Sequence, residues 1–252
     1  MREILAAAAF VLATAAVAVG AETTGSPAPS VVERIVHRFV SDSSGVTVSR
    51  ETVVYDQRAP GNNEHDEQDL SLLQQDRKVL GIRIHRSVDK GRVLSADELA
   101  KQQAETDKAV TAAASRPPSG AALPYYPEAT AEYAFTAAKP CAECGGDAID
   151  FKSAVNDSRH GHGTLTFDPV SARVVKVELV PNVAPKPATS AKLVVSYGQR
   201  DDGGWGPLRF EQHYAGRVLM ISGTADRVTT VVRARRFATV DEARRAMQAD
   251  SI

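Results

Sequence analysis

From residue 132 to residue 237 the chain repeats one device: a short run of alternating apolar and polar residues, a tight turn, then another such run. Candidate strands fall at 132–136, 148–154, 163–168, 174–180, 191–197, 208–214, 217–222 and 227–237. Asp168-Pro169 and Asp201-Asp202-Gly203-Gly204 carry turn chemistry, because Asp side chains bond their own backbone and Gly takes positive φ at no cost. Ala215-Gly216 is expected to turn a further hairpin. Strands that succeed one another without intervening helices have no room for parallel crossovers, so this half of the chain predicts an antiparallel meander.

The first half is mixed. Residues 31–39 and 46–55 read as two strands around the turn Asp42-Ser43-Ser44-Gly45. Residues 59–69 carry the acids Glu64, Asp66, Glu67 and Asp69 with no Lys or Arg, and read as a polar loop. Residues 79–86 read as a third strand, with Leu80, Ile82 and Ile84 on one face. Ser95-Ala96-Asp97-Glu98 is a capping box, and the helix it opens, 99–114, has a thin apolar stripe that predicts a half-exposed position. Residues 116–127 hold Pro117, Pro118, Pro124 and Pro127 and read as a Pro-rich seam inside one fold. A second box, Thr239 with Glu242, opens a closing helix to about Ala249. These elements predict an α+β fold, a curved antiparallel sheet (a half-barrel) of about 7–9 strands with two or three helices, in a single β-rich domain over residues 31–252.

The N-terminus carries an address. Met1-Arg2-Glu3 is charged, 4–19 is an unbroken apolar run with one Thr, and Ala18-Val19-Gly20-Ala21 supplies small residues for a signal peptidase. The apolar run falls short of the roughly 20 residues that span a bilayer, so 1–21 reads as a cleavable signal peptide. No Cys follows for lipid attachment, and 22–30 reads as a disordered leader. The expectation is an exported protein, periplasmic or secreted, that does not span the membrane after cleavage. The remaining chain is long enough to hide about 70 % of its unfolded surface. A net charge of −1 gives no field to attract nucleic acid or an anionic membrane.

Few residues carry chemistry. Cys141 and Cys144, flanked by Pro140 and Gly145-Gly146, favour a small structural disulfide closing a turn. A redox pair would need the first Cys at a helix N-terminus, and haem attachment would need His where Gly145 stands. A zinc set of Cys141, Cys144, His160 and His162 is a further alternative, against the reading of both histidines as surface residues beside the polar Asp157-Ser158-Arg159. Asp150, Asp157 and Asp168 read as turn caps rather than acid–base groups. No nucleophile elbow, HExxH or phosphate loop is present, so no catalytic, cofactor-binding or metal residue is assigned. The arginine-rich last strand, with Arg233, Arg235 and Arg236, reads as an edge strand blunted by charge, or else as a basic rim for lipid phosphates or an acidic partner.

The order of the second half supports a resemblance. Ala148-Ile149-Asp150-Phe151, Gly163-Thr164-Leu165-Thr166-Phe167-Asp168, the strand 174–180, the Pro-rich 181–187, the Tyr197 strand and Gly204-Trp205-Gly206-Pro207 before two closing strands follow in sequence. Over residues 133–237 this resembles the periplasmic lipoprotein-carrier and lipoprotein-sorting superfamily, in which a half-barrel wraps over helices around an apolar cavity. Those carriers begin with a helix, whereas 31–55 here reads as β. The resemblance implies a non-enzymatic binding or carrier protein sheltering a lipid or other apolar ligand. The alternatives are an envelope structural or interaction protein with a filled core and a protein partner, and a metal- or redox-linked enzyme using Cys141 and Cys144. Expression of the full chain in an exporting host should yield a protein whose intact mass lacks residues 1–21, or 1–20 if cleavage follows Gly20. Recovery of the uncut chain from the cytoplasm would refute export.

Overall fold

A computed structural model describes residues 30–113, 120–218 and 221–250. The signal peptide and the leader up to residue 29 lie outside the described residues. Three helices, α1 (Val31–Ser43), α2 (Ala96–Ala113) and α3 (Val240–Gln248), accompany one antiparallel sheet. Its strands are β1 (Val46–Ala59), β2 (Asn62–Gln75), β3 (Lys78–Asp89), β4 (Arg92–Val93), β5 (Tyr133–Phe135) and β6 (Lys139–Cys141). They continue with β7 (Gly146–Ser153), β8 (Gly161–Phe167), β9 (Val174–Pro181), β10 (Ala188–Gln199), β11 (Trp205–Val218) and β12 (Ile221–Phe237). The order is β4-β3-β2-β1-β12-β11-β10-β9-β8-β7-β5, with β6 also on β7. The two ends do not pair, so the sheet is an open, curved trough. It has 12 strands, more than expected. Among the described residues no helix is long and apolar enough to cross a membrane.

Residues 31–43 form a helix, not the expected strand. The run of Val suggested β structure, but Ser30 and Glu33 form a capping box: the Ser hydroxyl accepts from the Glu33 amide, and the Glu33 carboxylate accepts from the Ser30 amide. Val31, Ile35 and Phe39 then stack at a spacing of four, which turns one face into an apolar stripe. Among the described residues the first element is therefore a helix.

The acidic stretch read as a loop is most of β2, paired with β1 from Asn62 to Gln75. Its acids find their counter-charges across the strands: His65 with Asp56 at 2.7 Å, Arg86 with Glu67 at 2.7 Å and Lys90 with Glu64 at 2.9 Å. The expected turn at Ala215-Gly216 is also revised. Both residues lie inside β11, and pairing with β12 continues to Val218 and Ile221. Nor is the arginine-rich β12 an edge: it lies between β1 and β11 in the middle of the sheet. Arg233, Arg235 and Arg236 face Arg50, Val48 and Thr47 of β1.

The helices divide the work of covering the sheet. The N-cap Thr239 accepts from the Glu242 amide and opens α3, whose Ala243 and Met247 pack with Val46, Val48 and Leu73 on the convex face. The capping box of Ser95 and Glu98 opens α2 as expected. This helix lies along β3, where the Gln103 amide accepts from Ile84 N at 2.8 Å and donates to Ile82 O at 2.7 Å, covering an exposed strand edge. On the concave face, α1 and the segment 121–129 pack over β5 and β7–β10. Ile35, Leu123, Tyr125, Ile149, Leu165 and Val195 are among the buried residues of this main core. The stretch read as a Pro-rich seam thus supplies core residues where it is described. Ile35→Ala should lower the unfolding free energy by about 2–5 kcal/mol, the range for a buried Ile truncated in a packed core. The paired changes Cys141→Ser and Cys144→Ser should cost about 2 kcal/mol or less, because the loop they close is short. Urea titrations decide it, and equal losses would deny α1 its role in the core.

Candidate ligand-binding cavity

The main core fills the trough beneath the length of α1, and beyond its C-terminal end the concave face is not filled. A cavity of about 180 Å³ opens there, lined by residues from α1, β1–β3, the 121–126 segment and β9–β12. Its position follows from strand alternation. On β1 the residues Val46 and Val48 point to the convex face and pack under α3, so Thr47, Ser49, Glu51 and Val53 point inward. On β2 the same logic sends Leu70 and Leu72 into the cavity and Leu73 to the other face. Ile82, Leu193, Val195, Phe210 and Val231 complete a largely apolar floor, under a roof of Phe39, Leu123 and Tyr126.

An aromatic cluster walls the side toward the core. The Phe39 ring lies 4.8 Å from Tyr125 and is stacked on Tyr126 at 5.3 Å. The Tyr125 and Tyr197 hydroxyls share a hydrogen bond at 2.7 Å. Burial pushes the phenols of Tyr125, Tyr126 and Tyr197 well above their ordinary range, so all three are neutral groups here. Asp42, at the end of α1, is held by Arg38 at 3.0 Å and Arg173 at 3.2 Å, and its carbonyl accepts from Arg236 at 2.8 Å. The helix end is thereby fastened to both β12 and the β8–β9 turn.

Two polar stations interrupt the apolar lining. In one, Ser49 donates to Glu51 at 2.6 Å within reach of the Arg227 charge. Burial raises the Glu51 carboxyl pKa, with the Ser49 bond and Arg227 opposing; burial also lowers that of the Arg227 guanidinium. The other is Arg77 at the tip of the β2–β3 hairpin. Its guanidinium carbon lies 4.8 Å from the Tyr126 ring centroid and 5.4 Å from that of Phe39, and its Nη2 donates to Glu128 at 3.1 Å.

The residues singled out in the sequence lie elsewhere. Cys141 and Cys144 are joined as a disulfide at the β6–β7 junction, away from the cavity lining. His162 is exposed on β8. His160, read as a surface residue, is 5 % exposed: its Nδ1 meets Asp157 at 2.9 Å and its Nε2 meets Glu132. That histidine fastens the 120–133 segment to the start of β8, helped by Tyr133 donating to Ala122 O and Arg159 donating to Gly120 O. Among the described residues no group of three or more His, Cys, Asp or Glu is placed to hold a metal. Asp168 does cap a turn, accepting from Val170 and Ser171 amides. Sequence reading missed Phe39, Arg77 and Tyr126; the signals for them were the Ser-x-x-Glu box before α1 and two adjacent tyrosines in a supposed connector.

No protein-family model and no curated protein sequence matches the chain. Among solved structures it is similar to an outer membrane lipoprotein-sorting protein domain from Vibrio parahaemolyticus, at 11 % identity and a TM-score of 0.36, covering 86 % of this chain and 97 % of that one. It is similar also to a LolA superfamily protein from Nitrosomonas europaea, at 10 % identity and a TM-score of 0.35, covering 88 % and 99 %. A third likeness, at 10 % identity and a TM-score of 0.24 over 82 % and 99 %, is to the MucA/MucB complex structure of Pseudomonas aeruginosa.

The raised Glu51 pKa has a signed consequence. A carboxyl whose pKa is raised on folding contributes stability below its ordinary value of 4.5, and that contribution is lost as pH rises through the folded value. Glu51→Gln should therefore match the parent in urea midpoint at about pH 4 and exceed it at about pH 8. An equal midpoint at both pH values would contradict the assigned burial.

Proposed function

We propose that this is an exported, non-enzymatic binding or carrier protein that shelters an apolar chain in the trough between α1 and the sheet. The observation that carries the reading is the cavity itself: about 180 Å³ of unfilled space with a mostly apolar lining, in a fold whose other half is closely packed. A void of that size is costly in a protein with no use for it, because its lining forfeits contacts on one side. A methylene moved from water into it contributes about 0.8 kcal/mol. A chain of roughly ten such groups offsets much of the cost of association and brings affinity to the order of micromolar. The competing reading, a partner-recruiting protein with a filled trough, fits the unfilled space less well. The signal-like 1–21 supports export and a function outside the cytoplasm.

Native mass spectrometry of protein recovered from the export compartment tests the proposal, followed by titration of the stripped protein with a fluorescent acyl probe. The expected results are a co-purifying apolar ligand released on unfolding, and saturable probe binding. Val231→Trp, which pushes an indole into the cavity, should weaken probe binding at least tenfold while the circular dichroism spectrum is unchanged. A ligand-free protein that takes up no acyl probe would overturn the reading.

A further inference from the structure

The β2–β3 tip is a two-residue turn in which Asp76 and Arg77 both take positive φ, at 47° and 71°. This is the geometry of tight hairpins and is usually met by Asn or Gly. The tip is tied down on its other side: Gly45 N donates to Asp76 Oδ1 at 2.8 Å, and Asp76 N donates to Gly45 O at 3.1 Å. The turn therefore holds Arg77 against the roof in a fixed pose. Its side chain is 9 % exposed and lines the cavity. Glu128 takes Nη2, but Nη1 is buried and has no hydrogen-bond partner. In folded proteins a buried donor of this kind nearly always has an acceptor. The lining carboxylates do not provide one: Asp42 bonds Arg38 and Arg173, and Glu51 is bonded by Ser49.

We propose that Arg77 Nη1 is the anchor for the oxygen-bearing head of the cavity's ligand, so that the ligand is an acyl chain with a carboxylate or ester carbonyl at one end. This rests on the binding role proposed above. The chemistry matches the position. The guanidinium is a planar cation against two aromatic rings and paired with Glu128, and its Nη1 amino group is left to point at a carbonyl or carboxylate oxygen. From this tip the inward side of β2 leads past Leu72 and Leu70, which offer apolar surface to the tail opposite Ser49 and Glu51 of β1. A hydrocarbon alone would leave the Nη1 donor unsatisfied, so the site discriminates between chains by their heads.

Displacement of the fluorescent acyl probe by dodecanoate, methyl dodecanoate and dodecane, measured on the full chain, tests this. The parent should prefer the two oxygen-bearing ligands over dodecane by at least tenfold. Preference for dodecanoate over the methyl ester would identify a free acid, and equal binding an esterified or amide-linked chain. Arg77→Met should abolish the preference while leaving dodecane displacement as it was, and Arg77→Lys should restore part of it. Glu128→Gln, which frees the guanidinium, should tighten dodecanoate binding by about threefold or more and leave dodecane unchanged, a gain that a misfolded variant does not produce. Equal displacement by all three ligands in the parent, or a preference that survives Arg77→Met, would overturn the anchor and leave the carrier reading standing. Failure of the parent to bind the probe at all would overturn both.

Discussion

A curved sheet of this width makes a trough longer than one helix of 13 residues can fill. The other two helices are committed elsewhere, α3 to the convex face and α2 to the β3 edge, so among the described residues α1 and the 121–129 segment cover the concave face. Where they lie, the interior is packed to the closeness expected of a protein core. Beyond Ser43, where α1 stops, the inward side chains of β1, β2, β11 and β12 line the cavity beneath Phe39, Leu123 and Tyr126. The cavity is the remainder of that mismatch. Its size is set by where the helix ends, and Asp42 fixes that end by holding Arg38 and Arg173 through its carboxylate and Arg236 through its carbonyl.

The polar residues inside the trough argue in the same direction. A Glu and an Arg among Val, Leu and Phe side chains cost desolvation that their mutual attraction seldom restores, and apolar replacements of similar volume are commonly as stable or more so. Ser49, Glu51 and Arg227 are thus poor choices for a core and reasonable ones for a wall that meets a ligand. The same holds for Arg77, whose positive φ conflicts with its side chain. Such conflicts at the cavity are what a protein that gives up some stability for a site would show.

Much of the second half was legible because β structure writes itself locally. Alternation in 174–180 or 191–197 fixes which residues face inward, and Gly203 and Asp202 mark the turns. The misreadings share a different cause. Residues 31–43 carry β-branched side chains whose strand preference is weak, and tertiary burial of Ile35 and Phe39 with a capping box decided for the helix. The acids of 62–69 looked like a loop because their partners stand well further along the chain, Arg86 on β3 with Glu67 and Lys90 in the turn after β3 with Glu64. Arg233, Arg235 and Arg236 suggested an edge because the pairing of β12 with β1 spans nearly the whole chain and leaves no local trace. The cavity was the least visible of all. It depends on the length of α1 relative to the sheet, a quantity that no single stretch of sequence holds.

The fastenings of the molecule are unevenly placed, and this bears on how a ligand would enter. The roof segment carrying Tyr125 and Tyr126 is bound to the C-terminal strands through His160 with Glu132 and Asp157, Tyr133 with Ala122 and Arg159 with Gly120. The disulfide lies on that same side, at β6 and β7. The β1–β3 meander joins the rest of the sheet through β12, and its β2–β3 tip meets the roof at Arg77, against Tyr126, Phe39 and Glu128. Separating floor from roof at that tip breaks the ion pair of Arg77 with the partly exposed Glu128 and two ring contacts, whereas separating them on the far side would break a buried core. Opening is therefore cheapest at Arg77, so the point where the trough yields is also the point where a polar head would be met first.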